Sequence, residues 1–206
     1  MLPIPVPRLL AAAIVLFALP TSMPDEGMWP FDGLPLQYLK EKYQFEPTPE
    51  WLDHVRLGSV RFDTGGSGSF VSPNGLVMTN HHVALETLQK VSTQEKDWVK
   101  DGFSSRLYGS EVPGTDLTLR QLVEVRDVTK EVTAVEPGQR DGKLKELCDA
   151  ITDKDKHIQA DPVGLYDGGE FRVYVYHVYD DVRVVFAPDA FHLKYHFELS
   201  TGLPSS

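Results

Sequence analysis

The pattern of apolar and polar positions divides the chain into short helices and strands. Residues 34–43 carry Leu34, Leu36, Leu39 and Tyr43 with Lys40-Glu41-Lys42 turned outward, the spacing of a short helix. Glu46-Pro47-Thr48-Pro49 interrupts it, and Thr48 or Pro49 starts a second short helix through Trp51, Leu52 and Val55. Ser59-Val60-Arg61-Phe62 alternates and reads as a strand. The run that follows is the most informative in the chain. Gly65-Gly66-Ser67-Gly68-Ser69 leads into the apolar Phe70-Val71, then the turn residues Ser72-Pro73-Asn74-Gly75, then the short buried-strand candidate Leu76-Val77-Met78. Asn80 is a plausible N-cap for a helix over 81–89, which carries Leu85 and Leu88. Ser92 and Glu95 have capping-box spacing for another helix, which Gly102-Phe103 ends. Residues 116–129 are strand-like with partial alternation, and 141–156 form a charged helix with a solvated face. After the turn at Gly168-Gly169, residues 171–179 and 181–187 are rich in β-branched and aromatic side chains. They read as a tight hairpin or one long bent strand. The sum is a mainly β chain with added short helices at 34–43, 82–90 and 141–156.

Composition narrows the class. At 206 residues the chain has room for one domain, and 41% hydrophobic with 24% charged content is ordinary for a globular protein. The formal charge of −10 argues against a nucleic-acid backbone or an anionic membrane surface as partner. Arg8 followed by Leu9-Leu10-Ala11-Ala12-Ala13-Ile14-Val15-Leu16-Phe17-Ala18-Leu19 and then Pro20-Thr21-Ser22 is a secretory signal pattern, too short to span a bilayer. We therefore expect a signal peptide at 1–24 and an exported mature chain (periplasmic, cell-surface or secreted) without a membrane span. Cys148 is the only cysteine. It lies at helical spacing with Leu144, Leu147 and Ile151, which marks a small core residue and not a nucleophile.

The candidate chemistry sits at His81-His82. A histidine on the first turn of a helix, at the end of a core hairpin, is held rigidly enough to serve as a general base. The plain alternative is a pair of histidines in a surface turn. Metal binding is a weak reading, because adjacent side chains diverge and no further ligands stand at suitable spacing. His177 falls within a strand and reads as a strand side chain.

The segment from Gly65 to Val83 resembles the catalytic-histidine segment of chymotrypsin-fold serine peptidases, and by that resemblance His82 is the base. Two groups share Gly-Ser-Gly, Ser-Pro-x-Gly and Thr-Asn-x-His-Val: the HtrA-like proteases and the S46 bacterial dipeptidyl-peptidases. Asp25-Glu26-Gly27-Met28-Trp29, the doubled His81-His82, Lys100-Asp101-Gly102-Phe103 and Asp181-Val182-Arg183-Val184-Val185-Phe186-Ala187-Pro188 favour the second. The S46 resemblance covers roughly residues 25–188. It implies the first barrel, in part, of a chymotrypsin-like double β-barrel. Many S46 members carry an apparently paired cysteine at the positions that here are Gly66 and Val83.

The same resemblance implies a serine triad that releases dipeptides from peptide N-termini, needs no cofactor, and has peptides or oligopeptides as partners. In S46 enzymes the orienting aspartate and the serine lie beyond the segment seen here. The reading is therefore of an amino-terminal part, 25–190, with a divergent tail at 191–206, inactive alone. A family-like homodimer is expected only of a full-length form. Within these residues Asp63, Asp180 and Asp181 are available carboxylates, and Ser67 and Ser69 available hydroxyls. Both serines sit in the glycine-rich strand that runs into the hairpin and read as structural, so no nucleophile is assigned. The alternatives are an HtrA-like serine endoprotease fragment and a non-catalytic exported binding module. Half a barrel also predicts exposed apolar surface and poor solubility.

Overall fold

A computed structural model of the chain describes residues 27, 29–107, 109–115, 117–152, 155 and 157–189. The expected signal peptide at 1–24 and the tail at 191–206 lie outside the described residues, as do Asp25, Glu26 and Met28. The chain divides into two units at Pro35. The described part of the first holds a turn in which the Gly33 amide donates to the Pro30 carbonyl at 3.0 Å.

The second unit begins with helices α1 (Leu36–Tyr43) and α2 (Pro49–Gly58). The first starts two residues later than the apolar spacing suggests, because Pro35 disfavours helical backbone at Leu34. The second is capped as expected: Thr48 Oγ1 accepts from the Trp51 amide at 3.2 Å.

The centre is an antiparallel six-stranded sheet in the order β3-β2-β1-β6-β8-β7. Its strands are β1 (Ser59–Phe62), β2 (Ser67–Phe70), β3 (Val77–Thr79), β6 (Leu119–Asp127), β7 (Ile158–Leu165) and β8 (Glu170–Tyr179). The alternation of β1 holds, with Val60 and Phe62 buried and Ser59 and Arg61 exposed. In β6 a register shift between Leu122 and Glu124 breaks the alternation, which explains its partial signal in the sequence. Strand β7 was not anticipated. It contains Pro162 and Gly164, which a central strand does not tolerate, but it lies at the sheet edge, where a missing N–H costs little.

The segment after β8 is neither a hairpin with it nor its bent continuation. Asp180 to Val182 lead the chain out of the sheet, and the short β9 (Arg183–Val184) and β10 (Phe186–Ala187) pair elsewhere. Their partners are β5 (Val112–Pro113) and β4 (Phe103–Ser104).

Helices α3 (His81–Val91), α4 (Trp98–Asp101), α5 (Thr129–Thr133) and α6 (Arg140–Thr152) complete the described elements of this unit, apart from two short 3-10 turns. Ser92 does not open a helix. It closes α3, donating from Oγ to the Leu88 carbonyl at 2.7 Å and accepting from the Trp98 amide at 3.0 Å, while Asp97 caps α4. The charged helix ends at Thr152; Asp153, Lys154 and Lys156 lie outside the described residues.

Two apolar clusters hold these elements. In one, Val128, Val132, Leu144 and Cys148 pack on Ala160, Phe171, Val173 and Val175, so Cys148 is the core residue its spacing indicated. In the other, Val60, Phe62, Leu117 and Leu119 meet Phe70, Val77, Val83 and Tyr179. This second cluster carries the histidine hairpin. Only Val77 of the Leu76-Val77-Met78 run joins it; Leu76 is exposed and Met78 is 65% exposed, because β3 alternates and is an edge. Leu107 (74%) and Phe186 (69%) are further apolar side chains left in solvent.

Candidate active site

The site is built on the β2–β3 hairpin. Phe70 pairs with Val77, Ser69 with Met78 and Gly68 with Thr79. The connecting turn is held by Ser72 Oγ, which accepts from the amides of Asn74 (3.3 Å) and Leu76 (3.1 Å), and Gly75 takes the positive φ of 83°. At the other end Thr79 Oγ1 donates to the Ser67 carbonyl at 2.7 Å. Phe70 meets the Tyr179 ring edge-to-face, with centroids 5.8 Å apart, which anchors the hairpin on β8. Asn80 stays extended and α3 begins directly after it. Asn80 is the N-cap residue, as the sequence indicated, although its side chain makes no capping bond; its carbonyl accepts from the Val83 amide at 3.1 Å.

His81 and His82 are therefore the first two residues of α3. His81 is half-buried and His82 exposed, and neither imidazole makes a hydrogen bond to a described residue. The helix start is fixed from below. Val83 enters the second apolar cluster and lies against Gly66, which has φ +94°. A Cβ on Gly66 would stand 2.5 Å from Val83 Cγ2 and 3.5 Å from Val83 Cβ. The latter distance is within the span of disulfide-bridged pairs, so the fold brings together the two positions where S46 relatives are expected to carry cysteines.

The candidate carboxylates and hydroxyls are engaged elsewhere or stand free. Asp63 is paired with Arg120: Nη2 donates to Oδ2 at 3.2 Å, and Nε lies 2.5 Å from Oδ1 as an ion pair without a hydrogen bond. Asp181 is held by two hydrogen bonds from Arg183, at 2.8 and 3.2 Å. Asp180 is exposed. Ser69 Oγ donates to the Gly58 carbonyl at 3.0 Å, and Ser67 is exposed at the start of β2. The two serines are strand residues, as the sequence indicated.

Two features escaped the sequence reading. Arg120 also reaches Asp161 of β7 at 3.4 Å, and Gln159 donates to the same carboxylate at 3.1 Å. Beside them burial first, and the Asp161 charge second, push the Tyr176 hydroxyl above the ordinary tyrosine range, partly offset by Arg61. The Arg120 contacts span 57 and 41 residues, so no local pattern announces them. The other feature is an aromatic row in which His177 lies 4.6 Å from Tyr179 and 6.2 Å from His157, with Tyr179 donating to Gln121 at 3.0 Å. His177 is a strand side chain, as its sequence position suggested. Among the described residues no three His, Cys, Asp or Glu side chains gather as a metal site, and no helix is long and apolar enough to cross a membrane.

The profile of the Peptidase S46 family matches residues 24–195. The chain belongs to this peptidase family. Dipeptidyl-peptidase 7 of Porphyromonas endodontalis is 32% identical over 195 residues, covering 87% of this chain and 24% of that protein. The Asp/Glu-specific dipeptidyl-peptidase of Porphyromonas gingivalis is 30% identical over 184 residues, covering 80% of this chain and 26% of that protein. Among solved structures, Porphyromonas endodontalis DPP11 superposes with a TM-score of 0.67 at 27% identity, over 81% of this chain and 26% of that one. Its complex with the dipeptide Arg-Glu gives a TM-score of 0.68 at 24% identity. The S46 chain described here thus spans about a quarter of the length of the curated relatives it matches. Family and fold agree with the expectation of a mainly β peptidase segment with short helices.

Proposed function

We propose that this S46 chain supplies the general base of a serine-type dipeptidyl-peptidase, with His82 as that base. The observation that carries the reading is the seating of His82. A core hairpin and the Gly66–Val83 contact fix the helix start, yet the imidazole itself faces solvent without a competing partner among the described residues. A base so placed can reach a nucleophilic serine hydroxyl while its backbone stays rigid. In this mechanism His82 takes the proton of a serine hydroxyl as its oxygen attacks the peptide carbonyl. It then returns the proton to the leaving amine. Neither Asp63 nor Asp181 orients the imidazole, since each is committed to an arginine. The orienting carboxylate and the nucleophile come from further polypeptide, and residues 27–189 alone do not turn over substrate. The substrates are peptides or oligopeptides with a free N-terminus, and the site of action is outside the cytoplasm.

The test is a chimera in which residues 27–189 replace the aligned segment of dipeptidyl-peptidase 7 from Porphyromonas endodontalis, assayed on fluorogenic dipeptidyl substrates. We expect dipeptide release, and a loss of ~10⁴-fold or more on His82→Ala. An active chimera that tolerates His82→Ala and is silenced by His81→Ala would assign the base to the wrong histidine. Dipeptide release by the 206-residue chain alone, abolished by His82→Ala, would refute its dependence on further polypeptide.

A further inference from the structure

We infer that Arg120 is a positioning residue for His82, acting through the β1–β2 turn. The inference rests on His82 being the base. The turn 63–66 is the foundation of the helix start, and Arg120 is its outside clamp. The guanidinium pairs with Asp63 at the first residue of the turn, through one hydrogen bond to Oδ2 and the charge of Nε beside Oδ1, and its remaining arm reaches Asp161 on the far edge strand. With 19% of the Arg120 side chain and 32% of each carboxylate side chain exposed, the group is shielded well beyond an ordinary surface pair. The grip continues inward through the backbone. The Asp63 amide donates to the Thr118 carbonyl at 3.1 Å, the Gly65 amide to Phe62 at 3.0 Å, and the Phe62 amide to Gly66 at 3.1 Å. Gly66 in turn abuts Val83, the residue after His82.

One further feature argues that the clamp is needed. Arg61 and Arg120 are direct cross-strand partners on β1 and β6. Like charges in that relation repel, and here Asp63 and Asp161 compensate. Removing the Arg120 charge therefore releases Asp63 and the turn, whereas removing Asp63 leaves Asp161 alone to offset the two guanidinium groups. Either change loosens the surface against which Val83 rests.

The experiment is hydrogen exchange of the 206-residue chain together with NMR of its His82 imidazole, for the parent, Arg120→Met, Arg120→Lys and Asp63→Asn. A charge-assisted hydrogen bond is worth a factor of ~10–100 in local opening, so the Phe62 and Val83 amides of Arg120→Met should exchange faster by that factor. The amides of Val173 and Val175 should keep the parent rate, the His82 resonance should move, and Arg120→Lys should restore part of both effects. A purely structural role would accelerate the whole sheet and leave the native His82 signal in place, and that result overturns the proposal. So does an unchanged Phe62, Val83 and His82 in folded Arg120→Met. If that variant fails to fold, Asp63→Asn decides by the same criteria. In the chimera, Arg120→Met should lower kcat ~10-fold at constant KM. The exchange result does not depend on catalysis, so a failed clamp and a misassigned base give different outcomes.

Discussion

Gly66→Ala is the perturbation that most directly probes how the histidine is held. The added methyl would sit 2.5 Å from Val83 Cγ2, closer than real Cβ atoms approach, and 3.2 Å from Cγ1, a tight contact. Relief requires Val83, and with it the first turn of α3, to move. Overpacking of this kind costs about 1–3 kcal/mol. The residue also has φ +94°, which an L side chain adopts at a further cost of about 1–2 kcal/mol. The sum of ~2–5 kcal/mol corresponds to a fall in Tm of roughly 4–20 °C for a chain of this length. The two contributions separate in a double-mutant cycle. Val83→Ala removes both γ carbons, so it should recover about 1–3 kcal/mol in the Gly66→Ala background and leave the backbone cost. Urea unfolding followed by tryptophan fluorescence reads all four corners. If Gly66→Ala is within about 0.5 kcal/mol of the parent, the close approach is not a constraint. Destabilisation with no coupling to Val83 would locate the effect in the backbone alone. In the active chimera the same substitution should lower kcat more than it raises KM, because the displaced element carries the proposed base.

The remaining predictions concern burial and pH. Burial first, then the Asp161 and Asp149 charges, push the Cys148 thiol above its ordinary range. It should therefore resist Ellman's reagent at pH 8 in the native state and react readily in urea; rapid native modification would contradict its place in the core. Asp127 accepts from the Thr129 amide at 2.9 Å at the start of α5, and its carboxyl is held below the ordinary aspartate range by its Thr129 hydrogen bonds. Glu124 is lowered by its bond to Arg126. For such groups the folded state binds protons less tightly than the unfolded one. Their stabilisation is complete above about pH 5 and is lost as pH falls further, so the urea midpoint should drop from pH 6 to pH 3, less steeply in Asp127→Asn. Equal slopes would show that the Asp127 carboxylate does not contribute.

Much of the local structure was legible in the residues themselves. Thr48-Pro49 opens α2, Ser72-Pro73-Asn74-Gly75 turns the hairpin, and Leu144, Leu147, Cys148 and Ile151 give one face of α6. These signals are read within a few residues, because caps, turns and amphipathic spacing act at that range. The motif around His82 was legible for the same reason, since hairpin and helix start are contiguous. The expectation that Ser92 opens a helix failed where a tertiary contact outweighed a capping preference: Ser92 closes α3 and takes the Trp98 amide ahead of α4. Strand β7 was hidden by Pro162, which only an edge position excuses, and whether a strand is an edge is decided by the whole sheet. The same holds at the site. Sequence alone determined that a histidine would end a core hairpin and named its family. Only the tertiary structure brought Gly66 against Val83, withdrew Asp63 and Asp181 into arginine pairs, and assembled Arg120 between carboxylates 57 and 41 residues away. Contacts between distant segments depend on how the strands are ordered, and that order is set by burying both apolar clusters together, which no local spacing encodes.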